Sequence, residues 1–220
     1  FHRTSRIHCQ GRNEDINIVS GLEVQFGRGR SRSWDGHLYN RWGFSARSGF
    51  RTEGFFGLAV ASRNFWSKSG EKIRRLTTAK ILVFQNSIPW VTFVSRFEYL
   101  SDSRIDSLDH VILDENTGVR GYPVLFASGD RRIVGNLEAR FFSGITIFTS
   151  RLGGILHFDF GSIWDETEAL SDSRLIWSAG TGLRIDLGQA GNGRTARFDL
   201  SYAESLETWV ISMGIGQYVK

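Results

Sequence analysis

The chain has 220 residues, a formal net charge of +4, 25 Gly, 2 Pro and an aromatic content of 13%. Many glycines and aromatic residues with few prolines are typical of an all-β protein with many tight turns. No run reaches roughly 18 consecutive apolar residues, which excludes a membrane-spanning helix but not a membrane barrel, whose strands alternate. The positive charge is modest and scattered, so it gives no reason to expect nucleic-acid binding.

Apolar and polar residues alternate with a period of two along most of the chain, which predicts about ten β-strands. In chain order the alternating segments are 22–26, 41–47, 56–60, 76–85, 91–99, 137–141, 156–160, 183–187, 197–202 and 209–216. We expect most of the strands built around these segments to reach the about 9–11 residues that a tilted strand needs to cross a membrane. Turn signals at Gly70-Glu71 and at 191–193 mark short connections.

The stretch from about Ser101 to Asp130 interrupts this rhythm. Roughly thirty residues without strong periodicity are unusual within a compact domain, where most connections are short. Loops of this length more often carry function than idle chain, so we expect a functional role for about residues 101–130.

Alternation alone does not say which face of the strands is buried. A soluble sandwich buries its apolar face, whereas an outer-membrane barrel turns that face toward lipid. Two features favour the barrel. The polar faces carry charged residues in mid-strand together with Gly and Ser, and tryptophans fall near predicted strand ends, where interfacial girdles lie. These tryptophans are Trp42, Trp66, Trp90, Trp164, Trp177 and Trp209.

Motifs for catalysis or metal binding are missing from the sequence. There is no His-Glu-x-x-His, no Cys pair, no P-loop and no Gly-x-Ser-x-Gly, and Cys9 is the single cysteine. His157 and Asp159 share a strand face, but two side chains make a poor metal site. The sequence therefore predicts no catalytic residue, no metal and no cofactor.

Three motifs follow one another in and after the long loop. Residues Val119, Arg120, Gly121 and Tyr122 come first, then the Asn-Leu-Glu-Ala-Arg-Phe of 136–141, then the Phe-Asp-Phe-Gly-Ser-Ile-Trp-Asp of 158–165. In this order and spacing they resemble the C-terminal region of the Omp85 superfamily of outer-membrane proteins, most clearly over residues 90–220. That family includes the barrel insertase, its translocation relatives, two-partner secretion transporters and patatin-linked autotransporters.

The resemblance implies a sixteen-stranded transmembrane barrel. Its sixth extracellular loop folds into the lumen and carries a Val-Arg-Gly-Phe/Tyr tip, after which five strands complete the barrel. In this chain five candidate strands follow the tip, at 132–143, 145–164, 174–188, 194–204 and 207–219.

In the family the loop arginine contacts acidic residues on the two strands after the loop, which implies contacts of Arg120 with Glu138 and Asp159. A guanidinium stays charged, so an arginine folded into a barrel needs carboxylates nearby. Both carboxylates lie on the polar strand faces, and Gly121 permits a tight backbone approach. The alternative is that Arg120 is a surface turn residue and the two carboxylates are ordinary lumen charges.

The last predicted strand resembles the terminal strand signal of outer-membrane proteins. The residues that carry the signal are Ile211, Met213, Ile215, Gly216 and Val219. The pattern departs from the usual form because Val219-Lys220 replaces the terminal aromatic residue. Recognition by the assembly machinery and an ordinary edge strand therefore both remain open.

We predict that residues 1–220 form one all-β domain, an antiparallel transmembrane β-barrel with about ten strands here. Sixteen strands and the loop do not fit into 220 residues, so we expect the C-terminal part of a sixteen-stranded barrel. A complete barrel of ten strands is the alternative.

The function implied by the resemblance is insertion of β-barrel proteins into an outer membrane, or polypeptide translocation across it. The membrane is that of a bacterium or of an endosymbiotic organelle. Implied partners are outer-membrane lipid, unfolded barrel or secreted polypeptide clients, and upstream periplasmic POTRA domains or accessory subunits. A passive pore, a small structural barrel and a soluble β-sandwich binding module are the alternatives. Insertase and secretion pore share this barrel, so the subfamily stays open.

Overall fold

The computed structural model describes residues 2–5, 13–16, 20–30, 38–51, 54–67, 72–104, 110–187 and 195–219. The strands are β1 (His2–Ser5), β2 (Asn13–Ile16), β3 (Gly21–Arg30), β4 (Leu38–Arg51), β5 (Gly54–Ser67), β6 (Lys72–Gln85), β7 (Val91–Arg104), β8 (Val111–Leu113), β9 (Ala127–Gly129), β10 (Arg131–Ile147), β11 (Ser150–Trp164), β12 (Ile176–Asp186), β13 (Thr195–Ala203) and β14 (Thr208–Ile215). Short 3-10 turns lie at Leu170–Asp172 and Glu204–Leu206. In these ranges no helix is long and apolar enough to cross a membrane. Cys9 and the turn signals at 70–71 and 191–193 lie outside the described residues.

Ten strands form one antiparallel sheet in the order β14-β13-β12-β11-β10-β7-β6-β5-β4-β3. Neighbours follow one another along the chain except at β7 and β10, which the long loop joins. β8 and β9 form a small hairpin inside that loop, and β1 pairs with β2 separately. The prediction of an all-β, antiparallel fold with about ten strands is confirmed. β3 and β14 are the two edges and do not pair with each other in the described ranges, so the sheet described here is open.

The strands after the loop match their predicted positions to within about two residues, except at the turn between β10 and β11 and at the end of the last strand. Five strands, β10 to β14, follow it. β10 continues to Ile147 through a bulge beyond Phe142, where Gly144 has φ +70°. The extra length of β10 moves the start of β11 from the predicted 145 to Ser150.

Two further boundaries differ from their predicted positions, the start of the irregular connection and the end of the last strand. β7 continues to Arg104, so the irregular connection begins later than the predicted 101. The prediction of a final strand to 219 is wrong, because β14 ends at Ile215. Gly216 has φ +87°, a left-handed conformation that breaks the extended backbone.

The two faces of the sheet have opposite chemistry. We call inner the face that carries Asn136 and Asp159, which are cross-strand partners, and outer the opposite face. Buried polar or charged residues of the inner face are Asn136, Glu138, Arg140, His157, Asp159, Ser178, Arg184, Asp199 and Ser201. Exposed large apolar residues of the outer face are Phe93, Phe97, Leu137, Leu156, Phe158, Leu183, Phe198, Leu200, Trp209, Ile211, Met213 and Ile215. A protein folded for water buries the second set and exposes the first.

Aromatic rings form a row across the outer face at the end of the sheet nearest the loop. Their centroids are 5.8 Å apart for Phe158 and Trp177, 6.4 Å for Trp177 and Tyr202, and 5.4 Å for Tyr202 and Trp209. Of the predicted tryptophans, Trp177 and Trp209 belong to this row. Trp90 lies at the opposite end of the sheet, before β7.

Candidate functional site

The tip of the long loop is built around Asp114. One oxygen of its side chain, Oδ1, accepts a hydrogen bond from the Thr117 amide (2.9 Å), and the other, Oδ2, accepts one from the Leu125 amide (3.0 Å). Its backbone carbonyl accepts from the amides of Gly118 and Val119 at 3.0 Å each. Asp114 was not predicted as a functional residue. The Asp-x-x-Thr spacing, which favours such side-chain-to-backbone turns, is the signal that could have found it.

The tip residues turn onto the inner face of the sheet. Val119 and Tyr122 are fully buried in an apolar cluster between loop and wall. The other buried members are Leu113, Val134, Ile176 and Ala203. The Tyr122 hydroxyl donates to the Trp177 carbonyl (3.0 Å), which ties the tip to β12.

Arg120 lies between the two carboxylates that the resemblance assigns to it. Its side chain is 0% exposed, as are those of Glu138 and Asp159. Nε donates to Asp159 Oδ2 (2.6 Å) and Nη2 donates to Asp159 Oδ1 (2.9 Å), a two-pronged contact that matches the planar guanidinium. Nη1 lies 3.0 Å from Glu138 Oε1, an ion pair without hydrogen-bond alignment. The structure thus brings together Arg120, Glu138 and Asp159, and we call the contacts among these three residues the clasp.

Further inner-face residues extend the clasp. The side-chain Nδ2 of Asn136 donates to the Gly118 carbonyl and to Asp159 Oδ1, at 2.7 Å each. Arg140 donates to Glu138 Oε2 from Nε (2.9 Å) and Nη2 (2.7 Å). The prediction did not include Asn136 and Arg140. Strand alternation could have indicated both, because Asn136 and Arg140 lie two residues before and two residues after Glu138 and therefore share its face.

Charge is balanced inside this cluster. Two guanidinium groups, of Arg120 and Arg140, face two carboxylates, of Glu138 and Asp159. Burial alone lowers the pKa of Arg120, but the carboxylates of Asp159 and Glu138 outweigh it and raise that pKa above its usual value. The strands that follow the loop thus supply the counter-charge of the loop arginine.

Gly121 allows the tip to approach β13. Its φ is +84°, and a Cβ at this position would lie 3.2 Å from the Ser201 Cβ. We predict that Gly121→Ala lowers the free energy of unfolding by about 2–3 kcal/mol, because the left-handed backbone strains an L side chain and the added carbon crowds β13. The midpoint of denaturant unfolding of the full-length protein in detergent micelles measures this loss.

Gly144→Ala is the matched control for this prediction. Gly144 also has a positive φ, +70°, but a Cβ there would meet nothing within 4 Å. It carries the conformational strain without the contact, so we expect a smaller loss of about 1–2 kcal/mol. Equal losses for the two variants would contradict the close packing of the tip on β13.

Ser201, His157 and Asp159 form a chain of contacts beneath the tip. Ser201 Oγ lies 3.2 Å from His157 Nε2, and His157 Nδ1 lies 3.5 Å from Asp159 Oδ2. The order resembles a nucleophile, base and carboxylate. Both Ser201 and His157 are buried, however, Gly121 lies against Ser201, and Asp159 is engaged by Arg120. The Ser201 hydroxyl is therefore covered in this structure, and we interpret the contacts as structural.

The predicted signal residues of the last strand divide between the two sides of the sheet. Ile211, Met213 and Ile215 are on the outer face and are 67–74% exposed. Gly216 ends the strand. Val219, predicted to continue the strand, is instead fully buried against Phe84 on the inner side.

These features define a class of protein, an all-β chain whose open antiparallel sheet exposes its apolar face and buries the tip of a long loop on the other face, where charged and polar residues hold it. In the described part of the chain no group of three or more His, Cys, Asp or Glu residues could hold a metal ion. Comparison of the chain with family models, with curated proteins and with solved structures found no match.

Proposed function

We propose that this chain is part of an Omp85-type outer-membrane β-barrel that inserts β-barrel proteins into the membrane or passes polypeptides across it. The observation that carries the proposal is Arg120, which lies at the tip of a long loop and is buried between Asp159 and Glu138. Those carboxylates stand on the two strands that directly follow the loop, as the resemblance implies. A surface turn residue would not be buried in this way.

The outer face supports a membrane location for these strands. Its large apolar side chains are exposed along β11 to β14, and the charged residues are turned inward. Strands β4 to β7 have 14 residues each and β10 has 17, longer than the about 9–11 residues of a tilted span. The row of aromatic rings at one end of the outer face suits a membrane–water interface.

The open sheet supports the proposal of a larger barrel. Both edge strands, β3 and β14, expose apolar side chains, including Phe26 at 80% and Ile211 at 74%. Unpaired edges in a membrane are unfavourable, because lipid offers no hydrogen bonds. We infer that further strands pair with these edges and complete a sixteen-stranded barrel, with periplasmic POTRA domains upstream.

The inferred mechanism begins with the clasp. Arg120 fastens the loop to β10 and β11, and Tyr122 fastens it to β12. The loop thereby stiffens the wall beside β14, the strand that forms the seam of the barrel. A client polypeptide that enters the lumen meets this loop, and release of the clasp opens the space that the loop occupies.

Reconstitution of the full-length protein into liposomes tests the proposal. We expect the protein to accelerate folding of an unfolded outer-membrane protein into the bilayer, or to move a secreted polypeptide across it. The rate should fall in the Arg120→Ala variant and should be unchanged in Arg131→Ala, whose side chain is on the rim. Ion conductance without effect on any client would instead identify a passive pore, in which the loop only narrows the lumen.

Leu156→Arg tests the lipid-facing assignment of the outer face. Leu156 lies in the middle of β11 and is 55% exposed. We predict a loss of about 2–4 kcal/mol in the free energy of unfolding from lipid, because the bilayer core does not solvate a guanidinium. The matched variant Leu156→Phe should change it by less than about 1 kcal/mol. If Leu156→Arg unfolds at the same denaturant concentration as the wild type, the outer face is in water.

A further inference from the structure

The segment that follows β14 does not continue along the wall. Gly216 donates its amide to the Thr195 carbonyl (2.7 Å) and turns the chain with φ +87°. Gln217 and Val219 are then buried on the inner side of the sheet, with Tyr218 between them. Residues 217–219, which we call the inward segment, therefore lie beside the loop tip.

Tyr218 lies between two guanidinium groups. The Arg120 Cζ is 4.4 Å from the centre of its ring and the Arg197 Cζ is 5.0 Å from it. The Tyr218 hydroxyl donates to the Glu115 carbonyl in the loop. Burial raises the pKa of the Tyr218 phenol. The ring position is thus formed by residues of the loop and a residue of the wall.

The neighbours of Tyr218 are also held by arginines. Arg140 Nη2 donates to the Val219 carbonyl (2.7 Å), and Arg184 Nε donates to the Gln217 side-chain carbonyl (3.3 Å). The Val219 side chain packs against Phe84 and Val94. The contacts hold a side-chain carbonyl and a backbone carbonyl, an aromatic ring and a following apolar residue. They come from five strands of the wall, β6, β7, β10, β12 and β13, and from the long loop, and together they form a groove around the segment.

We propose that the space between Arg120 and Arg197 is a binding site for an aromatic side chain carried by a polypeptide, and that Tyr218 of the inward segment fills it in this structure. The inference rests on the proposed function, since the ligand class is a client polypeptide in the lumen. A client residue takes the site by displacing Tyr218.

The same arginine belongs to the clasp and to the ring site. Arg120 contacts Asp159 through Nε and Nη2, while its Cζ lies 4.4 Å from the centre of the Tyr218 ring. Exchange of one aromatic side chain for another leaves the clasp closed. Removal of the ring without replacement exposes one face of Arg120 to water, which weakens its attraction to the carboxylates. Occupation of the ring site therefore stabilises the loop in its folded position.

A peptide-binding experiment on the full-length protein in detergent tests the site. The variant carrying Gln217→Gly, Tyr218→Ser and Val219→Gly, which we call the vacated variant, removes the side chains that fill the groove. The probe is the fluorescein-labelled peptide Gly-Ile-Gly-Gln-Tyr-Val, and the control peptide has Ala in place of Tyr. We expect the vacated variant to bind the Tyr peptide on the order of tenfold more tightly than the Ala peptide, from two cation–π contacts. The wild type, whose site is filled, should bind the Tyr peptide at least about tenfold more weakly than the vacated variant.

Arg197→Gln in the vacated variant identifies the site. It should remove the preference for Tyr over Ala, whereas Arg151→Gln, an exposed position on the same wall, should leave it unchanged. Equal binding of both peptides by the vacated variant would overturn the proposal. Equal binding of the Tyr peptide by the wild type and the vacated variant would overturn it as well.

Tyr218→Ala provides a second test if the vacated variant does not fold. This variant keeps the contacts of Gln217 and Val219 and opens only the ring position. Added p-cresol should raise its unfolding temperature, 4-methylcyclohexanol of similar shape should not, and neither should affect the wild type. Equal effects of the two compounds would contradict an aromatic site. Neither assay uses a client protein, so the liposome experiment judges the proposed function separately.

Discussion

Arg120→Ala should lower the free energy of unfolding by about 3–5 kcal/mol, the range for removing one partner of a buried ion pair. The variant leaves the carboxylates of Asp159 and Glu138 facing each other without their shared cation. Arg140 still contacts Glu138, but Asp159 loses both side-chain donors of Arg120. We therefore expect the loop to leave the inner face, because its arginine no longer ties it there.

The measurement is the temperature at which the full-length protein in detergent changes from its folded to its boiled mobility on a gel. Arg131→Ala is the control, since Arg131 has an exposed ion pair with Glu166 at 3.7 Å and such pairs contribute about 0–1 kcal/mol. Trypsin adds a local readout, because a released loop is cut and a docked loop is protected. Identical transition temperatures for Arg120→Ala and Arg131→Ala would show that the clasp does not hold the loop.

Asp159→Asn should lower the free energy of unfolding by about 3 kcal/mol or more, even though it preserves the shape of the side chain. Asp159 accepts hydrogen bonds from Arg120 and from Asn136 and lies 3.5 Å from His157. An asparagine loses the negative charge and offers an NH2 group to neighbours that are themselves donors. Arg120 then remains buried with Glu138 as its single carboxylate contact.

A double-mutant cycle separates this interaction from the general effect of each change. We expect Arg120→Ala combined with Asp159→Asn to lose less stability than the sum of the single losses, by a coupling free energy of up to about 3 kcal/mol. Asp172→Asn is the control, because Asp172 is exposed in a 3-10 turn. Additive losses from Arg120→Ala and Asp159→Asn would mean that the two residues do not act together.

Strand positions and faces could be predicted from the sequence because they depend on local periodicity. Glu138 and Asp159 alternate with Leu137 and Phe158, which places the carboxylates on one face wherever the strands lie. Periodicity does not say which face is covered. Phe158 is exposed and Asp159 is buried. This difference depends on where the loop lies and on what surrounds the sheet, and both are properties of the whole molecule.

The position of Arg120 could not be derived from its own neighbourhood. Its hydrogen-bond partner Asp159 is 39 residues away in the chain, and nothing within the loop encodes that contact. The family resemblance supplied the pairing, and the geometry supplied Asn136 and Arg140 as additional members. Such partners depend on strand register, which side-chain alternation leaves undetermined.

The inward segment shows the opposite case, in which a regular pattern misled. Ile215 and Val219 are both apolar and spaced as on one strand face, so alternation predicts a continuous strand to 219. Tertiary contacts decide otherwise, because Arg140 and Arg184 bind the segment on the inner side and Gly216 permits the turn. A glycine within an alternating run was the local sign of that break.

The most direct test of the membrane barrel with a clasped loop is the fractionation of cells that express the full-length protein, with and without detergent extraction. The account predicts that the protein is in the outer-membrane fraction, is released only by detergent, and migrates differently before and after boiling. Arg120→Ala should shift that change in mobility to a lower temperature. Recovery of the protein in the aqueous fraction without detergent, with one mobility before and after boiling, would contradict the account.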